Sequence, residues 1–261
     1  MSDKAVVVVS VNIRFDAPED GRFRWECRLP HLAAALLETE ADVIGTQEGW
    51  HRQILDMLGM LPEYRLVDEH RNWDETKMYP CLFVRSGSID VEWSRDIWLS
   101  RHPRRPGSRS FGSVFPRIMT LCRGTHTATN KKLLIGCLHL DNLSDRTRRK
   151  QAGVVVRELR KAGACEGPTL LLGDFNEAPS KGVHRLVIRK TPLVDPWQAL
   201  ELPEEPTFHG YGGATEPQRK RIDWILSSPE FEAVEGRRID PPRRGDYLSD
   251  HHPVLLRFRM R

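Results

Sequence analysis

The sequence predicts a mixed α/β protein rich in strands, with two sheets packed face to face and helices outside. Three observations carry this expectation. Short runs of β-branched and aliphatic residues recur along the whole chain. Two longer segments space their apolar residues at the helical period. Strand runs fall both before and after the longer helical segment, and each half needs a sheet of its own.

Val6-Val7-Val8-Val9-Ser10-Val11 is a β-branched run that opens the strand pattern at residues 5–11, and Asn12 stands at its end. Residues 28–39 then read as an amphipathic helix with Leu29, Leu32, Ala33, Leu36 and Leu37 on one face. The strand at 42–47 runs directly into Glu48. Strands at 79–84, 89–98, 117–126 and 131–140 follow, with Thr129-Asn130 as a hairpin turn between the last two. Residues 145–161 read as a second helix, with Ala152, Val155, Val156 and Leu159 inward and Asp145 as its N-cap. Strands at 168–173, 222–227 and 252–259 complete the pattern. Residues 101–116 and 203–221 lack periodicity, are rich in Pro, Gly and Arg, and are candidate substrate loops. No internal repeat or low-complexity linker interrupts the chain, so one domain over residues 1–261 is expected.

The chemistry gathers at strand ends. Leu170-Leu171-Leu172-Gly173-Asp174-Phe175-Asn176 is an apolar strand that closes on a carboxylate and a carboxamide. Alternation puts Asp174 and Asn176 on one side of the strand end. An Asx turn explains one such pair equally well. The pattern recurs, however, at Asn12, at Gln47-Glu48, at His139 with Asp141, at Asp223, and at Asp250-His251. Turn chemistry does not account for acids, amides and imidazoles at so many strand ends. His252 follows His251 directly, points to the opposite face of an extended chain, and reads as structural.

These motifs, Gln47-Glu48, Gly173-Asp174-Phe175-Asn176 and Ser249-Asp250-His251-His252-Pro253, resemble those of the endonuclease/exonuclease/phosphatase superfamily in kind and order. That group includes deoxyribonucleases, abasic-site endonucleases, inositol polyphosphate phosphatases and sphingomyelinases. The resemblance spans Val6 to Arg259. Segments around Trp98-Leu99-Ser100, Phe115-Pro116-Arg117-Ile118 and Pro206-Thr207-Phe208-His209-Gly210 look like a compact bacterial subgroup. The resemblance implies a four-layered α/β/β/α sandwich with the active site at one end, and a hydrolase of phosphoester bonds. Magnesium or manganese is the expected cofactor, with Glu48 the leading ligand and Asn12 and Asp250 beside it, since a hard cation takes oxygen donors. By resemblance Asp174 activates the attacking water and Asn176 holds a phosphate oxygen. His251, oriented by Asp223 or Asp250, contacts the phosphate, and His139 binds the phosphate or protonates the leaving group. Arg117 is read by the subgroup pattern as a phosphate clamp near Asp141, and His209 as a substrate contact. Zinc held by His139, Asp141, His251 and His252 is the weaker alternative, because clustered acids and amides suit a harder ion.

Composition bounds the rest. Hydrophobic residues make up 39% and charged residues 29%, and no apolar run approaches the ~20 residues a membrane span needs. The residues after Met1 do not read as a secretory signal, so a cytoplasmic protein without a membrane partner or an evident obligate protein partner is expected. Five cysteines without CxxC spacing argue against disulfides and structural zinc. The net charge of +4 is concentrated near Arg101, Arg104, Arg105 and Arg109, around Arg146, Arg148, Arg149 and Lys150, at Arg219, Lys220 and Arg221, and at Arg237, Arg238, Arg243 and Arg244. If these line a groove, a phosphodiester of nucleic acid or nucleotide is the favoured substrate. A small phosphorylated metabolite (sugar, inositol or lipid head group) is the alternative, and a decayed binding protein a third reading.

Overall fold

The computed structural model describes residues 5–215, 220–241, 243 and 245–261. The N-terminal Met1-Ser2-Asp3-Lys4, and Arg219 and Arg244 of the arginine clusters, lie outside the described residues.

The strands are β1 (Ala5–Asn12), β2 (Val43–Gly49), β3 (Tyr64–Leu66), β4 (Tyr79–Arg85), β5 (Ile89–Trp98), β6 (Ile118–His126), β7 (Lys131–His139), β8 (Thr169–Asp174), β9 (Asp223–Ser227), β10 (Phe231–Arg238) and β11 (Val254–Met260). The α-helices are α1 (Trp25–Leu37), α2 (His51–Met60), α3 (Asp145–Lys161), α4 (Gly182–Lys190) and α5 (Pro196–Ala199). One sheet has the order β10-β11-β1-β2-β4-β3 and the other β5-β6-β7-β8-β9.

Strand alternation builds the layers. Val6 and Val8 of β1 face Ile135, Leu170 and Leu172 of the opposite sheet in the central core. Val7, Val9 and Val11 point the other way, onto Leu32 and Leu36 of α1 and Ile54 and Met57 of α2. Across the central core, Leu134 and Leu138 of β7 and Leu171 of β8 turn outward onto Val155 and Leu159 of α3 and Val183 and Val187 of α4. The result is the four-layered α/β/β/α sandwich. Its strands are hydrophobic on both faces because both faces are covered.

Several boundaries differ from the sequence reading. α1 starts three residues earlier, at Trp25, whose indole is fully buried and donates to Asp56 at 3.0 Å. The N-cap of α3 is Ser144, not Asp145: the Ser144 hydroxyl accepts the Thr147 N–H at 3.3 Å. The strands expected at 117–126 and 252–259 begin at Ile118 and Val254. β3, β10, α2, α4 and α5 went unread; β3 has three residues and β10 exposes much of its length. Among the described residues, no helix is long and apolar enough to cross a membrane.

Gly173 is a position where only glycine fits. Its φ is +142°, and a Cβ there would lie 2.0 Å from the carbonyl oxygen of Leu138, its register partner on β7. Backbone strain and overpacking each cost roughly 1–3 kcal/mol. Gly173→Ala is therefore expected to destabilise the fold by about 3 kcal/mol or more, or to prevent folding, read as the denaturant midpoint. An unchanged midpoint would show that β7 and β8 need not approach so closely.

Candidate active site

Register alone assembles half of the site. β7 and β8 run parallel and end together, with His139 opposite Asp174. β9 runs antiparallel to β8 and starts where it ends, with Asp223 opposite Asp174. Three side chains thus form a row across one sheet. In the facing sheet β1 and β2 also run parallel, so Asn12 ends beside Gln47 and Glu48. Glu48 sits at a register irregularity between Thr46 and Gly49 with φ of +65°.

The two rows meet. The Asn12 amide donates to Glu48 Oε1 at 3.0 Å and to Asp174 Oδ2 at 3.1 Å. Asp174 Oδ1 accepts the Asn176 N–H at 2.8 Å, which holds the carboxylate from its own turn. His139 Nε2 lies 3.4 Å from Asp174 and 3.9 Å from Glu48. His251 Nδ1 lies 2.8 Å from Asp223 Oδ2. Two constellations with ligand-like spacing result, Glu48–His139–Asp174 and Asp174–Asp223–His251, and they share Asp174.

The remaining sequence candidates divide. Asp250 lies at the same end, buried, with Arg14 Nε 3.9 Å from its Oδ2, but it joins neither constellation. Asn12 turns its amide nitrogen, not its oxygen, toward the carboxylates; the oxygen accepts the Arg14 N–H at 3.0 Å. As it stands Asn12 holds the two acids, and a half-turn of the amide would offer an oxygen to a cation. Asn176 donates to the Leu140 carbonyl at 3.0 Å. Asp141 does not reach the cluster. Its oxygens accept from Leu143 N, Ser144 N and Ser113 Oγ at 2.9–3.0 Å and shape the turn into α3. The alternation argument failed there because β7 stops at His139. His209 packs among Tyr247, Tyr211 and His252, with ring centroids 4.8, 6.4 and 4.4 Å away. His252 faces Asp240 at 3.3 Å, away from His251's partner, in keeping with a structural role.

The arginine groove is not built as expected. Arg148 is buried, donating to the Asp141 carbonyl at 3.0 Å and pairing with Asp145 and Glu177. Arg221 is buried too, fixed by Asp195 at 2.8 Å and by both oxygens of Glu204 at 2.6 and 2.9 Å. Both are struts inside the fold and present nothing to a substrate.

Burial sets the protonation states. It pushes the Asp174 carboxyl up, and the nearby Asp223 pushes it further. Burial also raises Asp250. For His139 burial, then Arg117 and His251, hold the imidazole well below its usual range, so it is neutral. Burial would lower His251 as well, but Asp223, Asp250 and Asp174 outweigh it and push the imidazolium up to about 10. Such a raised group adds stability that is complete below about pH 6.5 and is lost as pH rises through about 10. Asp223→Asn removes the largest counter-charge and leaves Asp250 and Asp174 alone to oppose burial, so the His251 imidazole is expected to titrate clearly lower than in the wild type. Side-chain nitrogen chemical shifts in metal-free protein report this; a His251 titration unchanged in the variant would break the assignment.

A cavity of about 410 Å³ opens beside these groups. Glu48, His139 and Arg117 line it with Arg14, Lys77 and Asn142, and Trp50, Tyr79, Trp98 and Phe115 supply apolar walls. Arg117 donates to Asn142 Oδ1 at 2.9 Å, and its buried Nε has no hydrogen-bond partner among the described residues. Arg14 and Lys77 were not singled out in the sequence. Arg14 follows Asn12 by two residues, and that spacing was the available signal.

The donor set suits a divalent cation. Oε2 of Glu48 and Oδ1 of Asp223 are buried without hydrogen-bond partners among the described residues. Such orphaned carboxylate oxygens are costly unless something positive faces them.

A fold of two facing sheets that gathers acids, amides and imidazoles at one end defines a phosphoesterase scaffold. The chain belongs to the endonuclease/exonuclease/phosphatase family, whose model matches residues 9–251. No curated protein sequence matches it. Among solved structures it is similar to a family member from Bacteroides vulgatus, at 25% identity and TM-score 0.90 over 98% of this chain and 99% of that one. It is also similar to a mannosyl-6-phosphatase of Bacteroides thetaiotaomicron, at 27% identity and TM-score 0.82 over 96% and 98%. D. rerio TDP2 in complex with a single-strand DNA product shares the fold, at 19% identity and TM-score 0.77 over 98% and 99%.

Proposed function

We propose that this protein hydrolyses a compact phosphate ester by attack of water at Asp174, with magnesium or manganese held at Glu48. One observation carries the reading: Asp174 is a buried carboxylate fixed by Asn12 and Asn176, lying between Glu48–His139 on one side and the Asp223–His251 ion pair on the other.

Glu48 would be the cation's first ligand, with Asp174 and a rotated Asn12 able to join it. A divalent cation bound there neutralises phosphate oxygens as negative charge builds up. The residues of the chain do the rest. Asp174 takes the proton of the attacking water, and its desolvated carboxylate is a better base than one in solvent. His251 stays protonated through Asp223 and donates to a non-bridging phosphate oxygen. Asn176 keeps one amide N–H for a second oxygen. Neutral His139 gives or accepts a hydrogen bond but has no proton to deliver to a leaving group. Arg117 adds a fixed positive charge at the cavity wall.

The substrate reading moves from a nucleic acid to a small ester. Arg148, one anchor of the expected phosphate-tracking groove, is an internal ion-pair partner, and so is Arg221 beside Lys220. A cavity of about 410 Å³ with aromatic walls suits a single compact group. Similarity to a sugar phosphatase supports the same choice. The nucleic-acid reading keeps the support of the exposed Arg101, Arg104, Arg105 and Arg109, of Arg146, Arg149 and Lys150, and of Arg237 and Arg243. Turnover on a panel of sugar phosphates, nucleotides and oligonucleotides with added magnesium or manganese tests both. Oligonucleotide cleavage without small-ester turnover would reverse the order. Binding without any turnover would point to a decayed site.

A further inference from the structure

A second cavity of about 350 Å³ adjoins the first and shares Lys77, Tyr79 and Trp98 with it. Its floor is electrically settled. Arg71, buried, grips Asp96 through Nε and Nη2, each at 2.8 Å, and donates to Thr120 at 2.9 Å. His70 Nε2 stands 3.2 Å from the same carboxylate, and Lys77 pairs with Asp74. Both acids of this cavity are thereby used.

The walls are not settled. Arg95 and Arg104 line the cavity, and neither has a carboxylate partner among the described residues. The Arg95 guanidinium lies 4.7 Å over the Trp93 ring, which fixes its plane, and its Nε is buried with no hydrogen-bond partner among the described residues. A guanidinium held in place with unused donors matches a phosphate or carboxylate.

We infer that this second cavity binds a second anionic group of the substrate, a phosphate-type group set apart from the ester being cleaved by the span of Lys77, Tyr79 and Trp98. The inference rests on the proposed function in that the first cavity takes the scissile phosphate. It narrows the substrate to a doubly anionic ester. The second anion can come from a bisphosphorylated small molecule or from the next phosphate of a short nucleotide.

Affinity of the Asp174→Asn protein for a ladder of alkane-α,ω-diyl bisphosphates, compared with the matching alkyl monophosphates, tests this. 5′-Phosphorylated dinucleotides compared with mononucleotides form the second arm. At one chain length or in the dinucleotide arm, the doubly charged ligand is expected to bind at least about tenfold tighter. Arg95→Gln/Arg104→Gln should make the singly and doubly charged ligands bind alike. Equal binding throughout both arms, or an advantage that survives the double variant, overturns the inference. If no monophosphate binds at all, the proposed function fails, and inorganic pyrophosphate decides the second cavity by itself. Its quenching of tryptophan fluorescence, lost in the double variant, would uphold the site, and no quenching would refute it.

Discussion

Asp174→Asn is expected to remove nearly all turnover and, in the same protein without metal, to raise thermal stability above pH 7. The two effects have one cause. Asp174 sits where burial and Asp223 both oppose its charge. A carboxyl whose folded pKa is raised is protonated more readily in the native than in the unfolded state. Its contribution to stability is therefore full below the ordinary carboxylate range and is lost as pH rises through the raised value. At alkaline pH the charged form destabilises the metal-free fold, and asparagine relieves that while keeping shape and the hydrogen bond from Asn176 N–H, at the loss of the bond that Asp174 Oδ2 accepts from the Asn12 amide. What asparagine cannot do is accept a proton from water, and loss of a general base typically costs ~100- to 10,000-fold in rate. Activity down and melting temperature up is a pattern that a merely structural Asp174 would not give. Turnover within a few-fold of wild type would reduce it to a turn residue.

How much of this was legible in the sequence depends on which force placed each residue. His139, Asp174 and Asp223 were readable because strand alternation and strand ends govern them, and register then does the assembly. Asn12 and Glu48 were readable as strand ends, but the direction of the Asn12 amide depends on a contact across two sheets, 162 residues away in sequence. Asp141 was misplaced because the period-two rule was carried past the end of β7, where local backbone N–H groups claim the carboxylate. The arginine clusters misled for another reason. Charges adjacent in sequence do not share one surface: in α3 Arg146 and Arg149 face solvent while Arg148 turns inward to Asp145 and Glu177. The paired acids that bury Arg221, Asp195 and Glu204, come from loops with no periodic signal. The four-layer order rests on the resemblance, since pattern alone shows strands and helices but not which faces meet.

Chelation is expected to abolish turnover, with magnesium or manganese restoring it and zinc restoring less. The argument is electrostatic. Glu48, Asp174 and Asp223 converge with Asp250 nearby, while His251, Arg117 and Arg14 are cations close to the same space. One oxygen of Glu48 and one of Asp223 have no donor among the described residues. Burial and the neighbouring carboxylates raise the proton affinity of Asp174 and Asp250, and a divalent ion relieves this better than a proton because it serves several oxygens together. The ion should therefore also stabilise the fold, by an amount that grows with the logarithm of its concentration above Kd. Melting curves across a magnesium series report that without any substrate, so metal binding and catalysis are tested separately. Glu48→Gln should flatten the series and lower activity together. Full turnover in excess chelator would remove the cation from the mechanism and leave the chain's own cations, His251, Arg117 and Arg14, to neutralise the phosphate. A melting temperature indifferent to magnesium would place any required ion with the substrate instead of at Glu48.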